Sequence, residues 1–290
     1  MKIPFTKMQG TGNDFVLIDE SKKILIPEEN KPEFVSRISD RHFGIGSDGV
    51  IFVQRSRKYD IRFSFYNPDG TKAEMCGNGI RCFAKYIYEN GILRKERIEI
   101  ETLAGLIVTE LLVESGRVRE VRVDMGVPRL ERGGIPVSGD PRERFIDQEV
   151  EIDGNLYRIT AIGMGNPHAI IFSENLEDIN VREIGKKIRY HTDLFPNGTN
   201  VHFVQRIDNN EFKIRSYERG VENETLACGT GICASAVAAV LNKIADKDKP
   251  IEFHARGGNL RVEFKIVNER IERIFLIGPA ETVFSGEIGY

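Results

Sequence analysis

The chain of 290 residues writes one plan twice. Four pairs of segments recur in the same order at a nearly constant separation. "GNDFVLI" and "GNPHAII" put Asn13 and Asn166 153 positions apart, and "GVIFVQ" and "NVHFVQ" put Gln54 and Gln205 151 apart. "FSFYNPDG" and "KIRSYERG" align Tyr66 with Tyr217, again 151 apart, and Cys76 and Cys228 differ by 152. The separation is close to half the chain, which implies two homologous halves of similar topology.

The plan is mixed. IEIETLAGLIVTELLV, VREVRVDM, YRITAIGM, VHFVQRI and LRVEFKIV are β-branched or alternating and bounded by Gly, Asn or Pro, so they read as strands. The run after Cys76, GIRCFAKYIYENG, ends in Asn90-Gly91, a helix stop. The run after Cys228, GICASAVAAVLNK, is apolar nearly all round and predicts a helix buried on every side. The expected class is α+β: two pseudo-symmetric halves, each with a central buried helix wrapped by strands. GVPRLERGGI near 126–135 reads as a linker. The last strand, ETVFSGEI, lies beyond the second repeat and is expected to complete the first half. The domains expected are therefore 1–126 plus 277–290, and 127–276.

Composition excludes several classes. A net charge of −3 gives no reason to expect nucleic acid or an anionic membrane as partner. The N-terminal MKIPFTKMQGTGND has no apolar signal core, and the apolar run near Ile232–Leu241 is far shorter than the roughly 20 residues of a membrane span. Four cysteines in so long a chain do not make a disulfide scaffold, and a reducing cytoplasm is the expected compartment.

Cys76 and Cys228 keep the repeat register, whereas Cys82 and Cys233 lie six and five residues further on and fall out of it. The latter two read as small buried hydrophobes. At a helix N-terminus the unpaired N–H groups and the dipole favour a thiolate, and flanking glycines let backbone N–H groups approach an anion. Two such loops facing each other would set an acid and a base on opposite sides of one bound molecule, which suits inversion of a carbon stereocentre. Zinc fits poorly, because no CxxC pair and no neighbouring His accompanies either Cys in the sequence. "GIGSDG" at 44–49 matches a dinucleotide fingerprint but follows a polar segment and precedes a strand, so it reads as a turn.

Asn13, Asn67, Asn166 and Asn200 recur at strand and turn boundaries, where their amides suit the ammonium and carboxylate of a zwitterion or simply build turns. Glu218 and Arg219 replace Asn67 and Pro68 in the aligned copy, so the repeat is chemically asymmetric there. An Arg for a carboxylate and a Glu for an ammonium is one reading; a surface ion pair is the other.

"GTGNDFVLID", "CGNGIRCFA", "ETLAG", "GNPHAI", "ERGVENETLACGTG" and "GPAETVFSGEI" together resemble the diaminopimelate epimerases, from the first strand to the last. The resemblance implies two α/β halves, each a β-barrel around a central helix, with the active site in the cleft between them. It implies LL/meso epimerisation with no cofactor, neither pyridoxal phosphate nor metal, and Cys76 and Cys228 as acid and base. By position it implies substrate contacts from Asn13, Asn67, Gly77, Asn78, Asn166, Asn200, Glu218, Arg219, Gly229 and Thr230, with His168 assisting. It also implies a homodimer acting on a small amino acid in lysine and peptidoglycan precursor synthesis. Gly49 departs from the family's frequent Gln after "GIGxD". Racemases of proline, hydroxyproline or histidine are the nearest alternative, although the proline-type members usually carry His where "CGNG" has Asn. A silent amino-acid-binding protein or redox-switch module is the alternative from another class.

Overall fold

The computed structural model describes residues 1–290. The chain divides into two compact units, Met1–Asp124 with Ile277–Tyr290, and Met125–Leu276. In the first, strand Lys2–Gly10 turns through Thr11 and Gly12, both at positive φ (51° and 83°), into the antiparallel strand Asn13–Asp19. Asn13–Asp19 runs parallel to Val50–Gln54, which pairs antiparallel with Ile61–Tyr66, itself parallel to Arg97–Thr102. Antiparallel Gly105–Glu114 and Arg117–Gly126 follow, and Glu281–Gly289 returns along the free side of Lys2–Gly10. A parallel step needs a crossover, and both crossovers here are helical: α1 (Lys31–Ser39) and α2 (Gly77–Glu89).

The second unit repeats the order. Gln148–Ile152, Asn155–Gly163 and Pro167–Phe172 are successive antiparallel neighbours. Pro167–Phe172 lies parallel to Asn200–Asp208, that strand antiparallel to Glu211–Glu218, and that one parallel to Ile251–Ala255, which hairpins into Gly258–Val267. The crossovers are α3 (Val181–Arg189) and α4 (Gly229–Leu241). Even the register repeats. Val16 faces Val50 and Ile51 faces Phe65; in the second unit Ala169 faces Val201 and His202 faces Ser216.

Each parallel-containing sheet is covered on both faces, so its strands are apolar on both sides. Val16, Ile18, Val50 and Phe52 pack on Phe34, Val35 and Ile38 of α1, while Phe63 on the other face meets Phe83 of α2 edge-on at 5.3 Å. In the second unit Ala169, Ile171, Val201 and Phe203 pack towards Val181 and Ile188 of α3. Ile170, Val204, Phe212 and Ile214 pack instead on Ile232, Ala236 and Val237 of α4. Side chains from seven strands surround α4, whose alanines let the strands approach closely.

The stretch 126–135 is not a free linker. Arg129 bridges Gly163, Arg132–Gly134 forms a short 3₁₀ turn, and Ile135 is fully buried beside Val137 and Phe145. Its Gly/Pro/charge composition reflects tight turning over a packed surface. "GIGSDG" is a turn folded onto the end of α1: Gly44 and Gly46 donate to Asp40 O and Ile38 O, each at 3.0 Å. A Cβ at Gly49 would lie 2.4 Å from the Phe65 ring, so that ring leaves no room for a side chain at 49. No helix is long and apolar enough to cross a membrane.

Candidate active site

Cys76 and Cys228 occupy the same local position. Each is the N-cap of its unit's central helix with extended backbone (φ −136°, ψ 119° and φ −118°, ψ 106°). Each carbonyl accepts the first helical N–H, from Ile80 and Ile232, at 2.9 Å. No side chain caps either first turn, where the dipole end is positive. Gly77 and Gly229 follow directly as the first helical residues.

Around Cys76 the first unit assembles Asn13 and Asn78. The Asn13 Oδ1 accepts from the Cys76 Sγ at 3.6 Å and from the Asn78 Nδ2 at 3.4 Å. The Asn13 Nδ2 donates to Asp48, whose carboxylate also accepts from the Asp14 N–H and from Arg41. Burial opposes charge on Asp14, but its bonds to Arg41 and Lys7 outweigh this and hold its carboxyl well below the usual range. Beneath lies Arg81, fully buried, donating to Asn78 Oδ1 at 3.0 Å, Thr11 Oγ1 at 3.0 Å and Pro279 O at 3.1 Å. Asn67 is engaged in its own turn, with its Nδ2 on Thr71 Oγ1 at 3.0 Å.

Around Cys228 the second unit gathers Asn166, His168, Asn200, Glu218, Arg219 and Thr230. Burial, reinforced by the Glu218 carboxylate, pushes the Cys228 thiol well above its ordinary value, against the opposing pull of Thr230 and the Gly231 N–H. The Thr230 hydroxyl stands 3.6 Å from its sulfur. Glu218 is held by the Thr225 hydroxyl. Asn200 is a strap: its Oδ1 accepts from the Arg219 N–H at 2.9 Å and its Nδ2 donates to Pro167 O at 3.0 Å. The Arg219 side chain donates to Asn197 O at 3.0 Å.

Two residues absent from the sequence reading, His202 and Ser216, join His168 at this site. His168 contacts Asn166 Oδ1 through Nε2 at 2.7 Å and His202 Nε2 through Nδ1 at 2.8 Å, and His202 Nδ1 contacts Ser216 Oγ at 2.8 Å. A ring nitrogen of each histidine lies within 4.8 Å of the Cys228 sulfur, so the thiol has histidine neighbours in space that the sequence spacing hid. These atoms have the chemistry of a soft-metal site, but all four ring nitrogens already have hydrogen-bond partners, and a metal would have to break those bonds. The signal was present in the repeat: Phe15, Ile51 and Phe65 of the first half stand where His168, His202 and Ser216 stand in the second. Cys82 and Cys233 are fully buried, and burial pushes the Cys82 thiol up to about 12.

Among solved structures, the fold is that of a phenazine biosynthesis PhzF-family protein from Bacillus anthracis (TM-score 0.73, 17% identity, all of both chains). It is also that of a probable proline racemase from Agrobacterium radiobacter (TM-score 0.71, 15% identity, 99% of this chain and 93% of that one). These likenesses define a class of two-half α+β proteins. Within that class, the chain belongs to the diaminopimelate epimerase family, whose model matches residues 5–131 and 160–283. The diaminopimelate epimerase of Pelotomaculum thermopropionicum is 47% identical over 99% of both chains. That of Methanothermobacter thermautotrophicus is 45% identical over 98% of both.

Proposed function

We propose that the protein interconverts LL- and meso-diaminopimelate by two-base proton transfer at the α-carbon, with Cys76 and Cys228 working from opposite faces. The observation that carries this is the placement of one cysteine at the N-cap of each unit's buried helix, in repeat register. Burial and Glu218 keep Cys228 protonated, so it starts as the acid while Cys76, as thiolate, takes the α-proton. The Cα–H bond breaks, its electron pair passes into an enolate-like anion, and the Cys228 S–H delivers a proton to the other face. The two sulfurs then hold exchanged protonation states, ready for the reverse direction. Helix N–H groups stabilise the charge that develops on the α-carboxylate. Such an α-proton is weakly acidic, so the chemistry requires both thiols at one carbon and exclusion of water.

Asn13, Asn67, Gly77, Asn78, Asn166, Asn200, Glu218, Arg219, Gly229 and Thr230 are the substrate contacts of this reading, with His168 behind Asn166. A homodimer in the cytoplasm, free of nucleic acid and membrane, completes it. The test is purified protein with a reducing agent, without pyridoxal phosphate, on LL-diaminopimelate, beside Cys76→Ser and Cys228→Ser. The reading expects meso product from the parent and at least a hundredfold loss in each variant. Turnover of proline instead, or full activity in either variant, would overturn it.

A further inference from the structure

The aligned asparagines Asn13 and Asn166 are both held by neighbours, but in opposite senses. Asp48 can only accept, so it takes the Asn13 Nδ2 and turns the Asn13 oxygen towards Cys76. At Asn166 the oxygen is the atom engaged, on His168 Nε2, and its Nδ2 has no partner within the protein. An amide oxygen needs a donor, so the His168 Nε2 carries the proton. Burial, His202 and Arg219 all keep the His168 ring uncharged, so its Nδ1 is a bare acceptor. The atom facing that acceptor is His202 Nε2, which must therefore donate; His202, likewise neutral, accepts from the Ser216 hydroxyl. Ser216 → His202 → His168 → Asn166 is a one-way chain of donors.

We infer that His202 is a positioning residue: through His168 it holds the Asn166 amide with its oxygen inward and its NH₂ free for an acceptor, a carboxylate oxygen of the bound amino acid. This rests on the proposed amino-acid substrate for the identity of the acceptor, but not for the direction of the chain. The fold shows that the chain of donors is not needed for packing. At the three aligned positions the first unit uses Phe15, Ile51 and Phe65, with Phe15 and Phe65 packed edge-on at 5.9 Å. The same register thus accepts an apolar cluster, and the second unit has replaced all three members together with a buried, fully hydrogen-bonded polar set. The helix has adjusted as well. A Cβ at Gly231 would sit 2.1 Å from the His202 ring, whereas one at the equivalent Gly79 would meet Ile51 at an ordinary 3.4 Å. His202 therefore sits against the first turn of α4, beside the Cys228 cradle, as well as behind Asn166.

The test has two arms. In the parent protein, ¹⁵N-detected NMR of the histidine rings reads the tautomers: a neutral His168 protonated at Nε2 and a neutral His202 protonated at Nε2 support the chain. A His168 protonated at Nδ1 reverses it and overturns the inference. In the second arm, His202→Phe removes the donor and His202→Gln restores one near the Nε2 position. With LL-diaminopimelate, His202→Phe should raise KM about tenfold or more with a smaller change in kcat, and His202→Gln should recover most of that loss. Equal KM values for the two variants, or a loss confined to kcat, would overturn it. Should His202→Phe fail to fold, the parent tautomers still decide. A parent with the required tautomers but no turnover would leave the chain standing and sink the proposed function instead.

Discussion

Arg81 is a guanidinium with no exposure at all, and it is tolerated because three of its bonds end on groups that shape the Cys76 cradle: Asn78, Thr11 and the Pro279 carbonyl. Buried acceptors left without donors cost about 1–3 kcal/mol each. Arg81→Met is therefore expected to lower the unfolding free energy by about 3 kcal/mol or more in urea titration; a loss under about 0.5 kcal/mol would mean the bonds carry little. The neutral histidines make a second prediction at this scale. Burial lowers the His202 pKa to about 3, and burial, with His202 and Arg219, depresses His168. In the unfolded chain both take a proton near pH 6.5. Below that pH the unfolded state binds more protons than the folded one, so stability falls as pH falls, by up to about 1.4 kcal/mol per pH unit for each histidine. Urea midpoints between about pH 6.5 and 4.5 should show this slope, and His202→Gln should reduce it. A flat profile would show that the rings already charge in the folded state. The thiols were legible as residues because they keep the repeat register. His202 was not, since its segment reads as an ordinary strand and only the comparison with Ile51 marks it.

At the scale of elements, the helices and strands follow from pattern. The apolar run after Cys228 gave a helix buried on every side, and the Asn90-Gly91 stop after Cys76 matches the end of α2 at Glu89. The alternating stretch 98–113, read as strand, falls in two strands, Arg97–Thr102 and Gly105–Glu114, because Gly105 at φ 109° turns the chain between them. The stretch at 126–135 misled for a related reason: Gly and Pro mark sharp turns whether the chain there is free or packed. Volume is exchanged between aligned elements in a way no local pattern reveals. Gly49, just before strand Val50–Gln54, and Phe65 on the neighbouring strand correspond to Asn200 and Ser216, so the large side chain has moved from one position to the other. Gly49→Ala should then cost about 1–3 kcal/mol through its clash with Phe65. Adding Phe65→Ser should remove the clash with the ring while leaving the one with the Tyr66 carbonyl, 2.7 Å from such a Cβ, giving a double-mutant cycle with a coupling above about 0.5 kcal/mol. Simple additivity would contradict the packing account. In the core of α2, Phe83→Ala should cost about 3–5 kcal/mol.

For the whole molecule, duplication is the fact from which the rest follows. Two copies of one sheet-and-helix plan place two cysteines at matched helix N-caps, and divergence between the copies supplies the asymmetry a chiral substrate demands. That asymmetry includes Glu218 and Arg219 against Asn67 and Pro68, and the His168–His202–Ser216 chain against Phe15, Ile51 and Phe65. The repeat was visible in the sequence because the offsets are nearly constant. The polarity of the two aligned asparagines was not, because it depends on neighbours brought in from other strands. The central claim is that two different groups handle the proton. Its most direct measurement is hydrogen isotope content at the α-carbon of LL-diaminopimelate in D₂O at low conversion, read by mass spectrometry in product and recovered substrate separately. Two bases predict deuterium in the meso product while the recovered substrate remains protiated, since the proton removed on one face is not the one delivered on the other. Deuterium appearing equally in substrate and product from the start would mean a single base serving both faces, and would contradict the account.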